Sequence, residues 1–72
     1  SDPRQHLVDI SGTHPLREEQ AISILVGAGM TEQDASRDLD ALVRSSSLVV
    51  LSRNGVRFYV RGSAPASRLQ HV

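Results

Sequence analysis

The 72-residue chain has no cysteine, no tryptophan and no lysine, and one each of tyrosine, phenylalanine and methionine. Without cysteine it forms no disulfide and no thiolate metal site, which sets aside the secreted disulfide scaffold. Long hydrophobic runs are missing too. The longest, residues 48–51, is four residues, where a membrane-spanning helix needs ~20. No signal-peptide pattern is present, and a cytoplasmic location is expected. The chain starts at Ser1 and its one methionine is Met30, so it reads as a domain excised from a larger protein. A chain of this size makes one small domain, burying only about 60% of the surface its unfolded form exposes.

What is present is unevenly spread. The net charge is zero, yet residues 1–40 carry all eight acids against Arg4, Arg17 and Arg37, a balance of −5. Residues 41–72 carry Arg44, Arg53, Arg57, Arg61 and Arg68 and no acid, a balance of +5. Every cation is arginine, whose planar fork suits phosphate, carboxylate and guanine. A GC-rich genome accounts equally well for the missing lysine, but not for the segregation of charge.

Asp2-Pro3 is a good helix start, a capping carboxylate followed by proline at the first helical position, and a short helix over 3–10 puts Leu7 and Ile10 on one face. Ser11-Gly12-Thr13 breaks it. A second helix is expected from Pro15, with Glu18 and Glu19 at the positive end of its dipole. Ala21, Ile24, Leu25 and Ala28 share one face and Ile22 and Val26 widen it, so this helix should be mostly buried before Gly27 and Gly29 end it. Thr31 caps a third helix, with Asp34 standing where a capping box usually has Glu. Ala35, Leu39, Leu42 and Val43 form its inward stripe, and Ser45-Ser46-Ser47 ends it.

The hairpin is the clearest local signal. In "LVVLSRNGVRFYVRG" two β-rich runs flank Asn54-Gly55, the favoured pair for a two-residue type I′ turn. That register sets Arg53 opposite Val56, Ser52 opposite Arg57, Leu51 opposite Phe58, Val50 opposite Tyr59 and Val49 opposite Val60. Val49, Leu51, Val56, Phe58 and Val60 then share a face expected to pack on the helices. Arg57, Tyr59 and Arg61 line the other face, toward solvent. The domain is expected over residues 1–62, with a flexible Ser/Ala/Pro-rich tail over 63–72.

Three helices followed by a two-stranded hairpin make an α+β order that resembles the winged helix-turn-helix superfamily over residues 14–61. The best part is "GMTEQDASRDLDALVRSSSLVVLSRNGVRFYV". Gly29, Met30 and Thr31 match the turn, Ala35, Ser36, Arg37, Leu39 and Leu42 the third helix, and Ser47, Leu48 and Val49 the passage into the wing. Two features depart from the pattern. Leu25 stands where a small residue is common, and the third helix is acidic, with Glu32, Asp34, Asp38 and Asp40.

The resemblance implies a module for double-stranded DNA. On the third helix, begun by Thr31, the positions Glu32, Gln33, Ser36, Arg37 and Asp40 would face the major groove, where Glu32 and Asp40 would meet phosphate unfavourably unless Arg37 or Arg44 offsets them. Arg44, Arg53, Arg57 and Arg61, with Tyr59 between two of them on the wing, would lie beside the backbone. Gln33 suits adenine, Arg37 guanine, and Ser36 either a base or phosphate. Simpler readings stand beside these. Charge on an edge strand blocks aggregation, and a surface acid is most often merely solvated. The sequence pI of about 6.8 is low for a stand-alone nucleic-acid domain. The alternative is a protein-interaction module, docking or self-associating through the acidic helices and the arginine hairpin. Catalysis is the weakest class. His6, His14 and His71 lack metal-ligand spacing, Asp38 and Asp40 point to different helix faces, and Gly27-Ala28-Gly29 does not continue into a phosphate loop. The expectation is a non-enzymatic domain with no cofactor and no metal.

Overall fold

A computed structural model describes residues 2–64 of the chain. The elements in order are α1 (Pro3–Ser11), β1 (Leu16–Arg17), α2 (Glu18–Gly27), α3 (Glu32–Arg44), β2 (Leu48–Arg53) and β3 (Val56–Arg61). The fold is α+β, as the sequence indicates, with the helices on one face of an antiparallel sheet of order β1-β3-β2.

The sheet has three strands rather than two. Leu16 and Arg17, expected inside the second helix, instead pair with Tyr59 and Phe58 of the hairpin. Pro15 fixes a φ that suits an edge strand as well as a helix start, and burying Leu16 beside Tyr59 decides between them. The helix begins one residue later, where the Arg17 backbone N–H donates to Gln20 Oε1 at 3.0 Å. Glu18 and Glu19 still occupy its first turn, at the positive end of the dipole.

The helix starts at α1 and α3 follow their sequence signals. Asp2 Oδ1 accepts the Arg4 backbone N–H at 3.0 Å, and Thr31 Oγ1 accepts that of Asp34 at 3.1 Å. The α2–α3 turn closes as a Schellman motif. Met30 N–H donates to the Leu25 carbonyl at 3.2 Å and Gly29 N–H to that of Val26 at 2.9 Å, with Gly29 at φ +105°. The same pattern ends α3, where Ser47 N–H reaches the Leu42 carbonyl at 2.9 Å and Ser46 N–H that of Val43 at 3.1 Å. Ser46 holds the left-handed position at φ 65°.

The hairpin register is the expected one throughout, from Arg53 opposite Val56 to Val49 opposite Val60, with Asn54 and Gly55 at φ 55° and 78°. Its orientation is the reverse of the expected one. Tyr59 and Leu48 are each 1% exposed and belong to the core, whereas Val49, Leu51 and Val56 are exposed. A six-residue strand needs only part of its length in the core. Leu48 and Val50 at the α3 end of β2, with Tyr59 across from Val50, supply that buried part, and Arg61 opposite Leu48 keeps its apolar stem over protein and its charge in water. Arg61 does this over Gly12, where an added Cβ would stand 3.1 Å from Arg61 Cδ.

Ala35, Leu39 and Leu42 of α3 are fully buried, as their spacing predicts. Helix α2 is less buried than its apolar sequence suggests. Ala21 and Leu25 are inside, Ile22 and Ile24 are half-buried, and Val26 is 38% exposed. A domain this small offers only one layer to pack against. After β3 the chain is clasped to the end of α3, with Gly62 N–H donating to the Ser47 carbonyl at 2.8 Å and Ala64 N–H to the Ser46 carbonyl at 3.0 Å. A Cβ on Gly62 would collide with the Ser46 carbonyl oxygen. Ala64, within the expected tail, is held by its bond to Ser46, and the tail from residue 65 on lies outside the described residues.

Candidate functional site

The buried positions of α3 fix its rotation, and so decide what it shows to solvent. With Ala35, Leu39 and Leu42 inward, Gln33, Ser36, Arg37, Asp40 and Arg44 form one exposed stripe at offsets of 0, 3, 4, 7 and 11 residues along one helix side. Thr31 is exposed at the head of this stripe, but its hydroxyl already caps the helix.

The acids of α3 do not form one surface. Glu32 and Asp34 sit in the first turn, where negative charge complements the helix dipole. Asp38 is half-buried and faces α1, its Oδ2 3.9 Å from Arg4 Nε. Asp40 is the one acid within the stripe, alongside two arginines, Arg37 and Arg44.

The hairpin carries further arginines, at separate places. Arg53 stands beside the turn and Arg57 on the helix-facing side of β3, both exposed. Arg61, also exposed, is four residues further along β3, roughly 13 Å away, over the end of α1. The three are not one continuous edge.

Tyr59, expected on a solvent face between Arg57 and Arg61, is instead a core residue, 1% exposed. Its hydroxyl donates to Glu18 Oε2 at 3.4 Å. Burial is the main influence that raises its pKa above the usual value for a phenol, and the Glu18 carboxylate adds to it. Asp40 acts in the same sense and Arg57 opposes both. Glu18, Asp40 and Arg57 thus all act on one buried hydroxyl.

The resulting surface offers Gln33 and Ser36 as donors and acceptors, Arg37 as a planar fork, and Arg44 and Arg57 as cations at its margins. Glu18 escaped the sequence reading because its partner lies 41 positions away and an acid in a first helical turn already has a local explanation. No family model, curated protein or solved structure matches the chain.

Proposed function

We propose that the domain binds double-stranded DNA as a winged helix-turn-helix module. The observation that carries this reading is the exposed α3 stripe, whose Gln33, Ser36 and Arg37 are base-reading side-chain types, with Arg44 at its end and an exposed Arg57 on the helix-facing side of the hairpin. In this reading α3 enters the major groove, with Gln33 and Arg37 addressing adenine and guanine edges. Arg44 and Arg57 take phosphates, which position the module without reading sequence, whereas Arg53, on the opposite face of the hairpin, is left out of the contact. Asp40 repels the backbone and holds down affinity for random sequence. Tyr59 has no contact with DNA; it supports the wing from beneath.

Fluorescence anisotropy with a random-sequence duplex, titrated at increasing salt, tests the proposal. The logarithm of the affinity should fall linearly with the logarithm of salt, with a slope near −0.9 per phosphate neutralised. Arg57→Ala should make the slope shallower by about one contact. Absence of binding at low salt and high protein concentration overturns the reading. A protein contact is favoured by a different observation, on a different surface, as follows.

A further inference from the structure

The sheet face turned away from the helices carries exposed apolar side chains. Leu51 is 51% exposed, Val49 42% and Val56 38%, with Phe58 and Val60 half-buried beside them. The pairing sets them in rows. Val49 lies opposite Val60, Leu51 opposite Phe58 with Arg17 beyond it on β1, and Arg53 opposite Val56. Pro15, Leu51, Ser52, Arg53 and Phe58 line a shallow hollow on it. The charged residues in these outward rows are Arg17 and Arg53, one along the β1 side and one at the turn end of β2, with no acid between them.

Size and charge narrow the occupant. Six-residue strands run ~20 Å, and the outer two strands of three lie ~10 Å apart. That strip of roughly 200 Å² is far below the ~800 Å² that each partner contributes to a standard stable interface, so it suits a single short segment held weakly. A second copy using the same face would bring only arginines against arginines. The strip does match one α-helix, ~10 Å wide, with ~13 residues over its length.

We propose that this face docks an amphipathic helix of a partner protein. The helix lays an apolar stripe over Val49, Leu51, Phe58 and Val60, and carboxylates on its two flanks meet Arg17 and Arg53. The face points away from the α3 stripe, so the contact neither requires DNA binding nor competes with it.

Two synthetic peptides of about 14 residues, helical and sharing a leucine stripe at i, i+3, i+4 and i+7, test this. One carries glutamates on both flanks and the other lysines. Each is titrated into the full chain by anisotropy and by amide chemical-shift mapping. The glutamate peptide should bind at least about ten-fold more tightly than the lysine peptide, with shifts centred on β2 and β3. Leu51→Asp, at a largely exposed position, should abolish binding without lowering the melting temperature. Arg17→Glu with Arg53→Glu, which leaves the apolar strip intact, should reverse the preference between the peptides. Equal affinity for both peptides, binding of neither, or shifts centred on α3 would overturn the proposal. So would a concentration-dependent dimer in sedimentation that Leu51→Asp dissolves, which would give the face to a second copy.

Discussion

The Tyr59 hydroxyl reaches Glu18 Oε2 across 3.4 Å, tying the central strand of the sheet to the first turn of α2. The contact gives the chain's one tyrosine an apolar body in the core and a polar end at its margin, the usual compromise for a buried phenol.

Stability should therefore decline in alkali in a way that depends on this residue. Burial, and then Glu18, raise the folded-state pKa of Tyr59, while the unfolded chain titrates near ~10. Between those values the folded state holds more protons than the unfolded one, so stability falls as pH climbs through this interval and is intact below it. Urea melts from neutral pH upward should show the decline in the native chain and a flatter alkaline limb in Tyr59→Phe. That variant should lose about 1 kcal/mol or less at neutral pH, because the hydrogen bond is long. Phenolate absorbance reports the titration directly, and an unchanged alkaline slope in Tyr59→Phe would assign the decline elsewhere.

Two glycine substitutions should act in opposite directions. Gly62→Ala drives a methyl group into the Ser46 carbonyl and should cost about 1–3 kcal/mol by denaturant melt. Gly27→Ala, within α2 with nothing near its added Cβ, should stabilise by about 0.4–1 kcal/mol. Equal effects would show that backbone propensity, rather than the clasp after β3, governs both sites.

Arg37→Ala and Arg57→Ala should separate reading from positioning. With a preferred duplex obtained by selection from random DNA, Arg37→Ala should lose about 1–3 kcal/mol on that duplex and little on random sequence. Arg57→Ala should weaken both alike and make the salt slope shallower. Uniform loss from Arg37→Ala would count against base contact.

The acids offer a matching pair. Asp40→Asn, in the middle of the exposed stripe, should raise affinity for random DNA severalfold and leave stability nearly unchanged. Glu32→Gln, in the first turn, should instead lower stability by about 0.3–1 kcal/mol through the helix dipole, with a smaller gain in affinity. If both mutants bind as the native chain does, α3 faces something other than DNA.

The hairpin register was fully legible because Asn54-Gly55 leaves one two-residue turn type that suits the twist of the strands. Helix α3 was legible because Thr31 and the Ala35, Leu39, Leu42 spacing agree on its start and rotation. The inward face of the hairpin is not legible in the same way. Five apolar residues on one face outweigh Leu48, Val50 and Tyr59 on the other in any count, but Leu16 supplies the missing weight from a distant strand. That strand, two residues long, is too short for any periodicity to reveal. The candidate site followed the same division. The inward face of α3 is legible from local periodicity and its outward positions from the family resemblance, whereas the burial of Tyr59 and its link to Glu18 depend on contacts between distant segments.

The central position of β3 has a mechanical consequence. A hairpin whose inner strand, central in the sheet, carries a core residue is not a projecting arm, so the place of Arg57 relative to the helices is set when the chain folds. The ordering entropy of that side of the interface is spent before any ligand arrives. Under the DNA-binding proposal, adjustment then falls to the duplex. A site whose groove already matches the spacing binds without distortion, and a stiffer or wider one must be bent to fit, at an energy set by base steps the protein never touches. The hydroxyl beneath the wing would in this way help to select DNA by its shape.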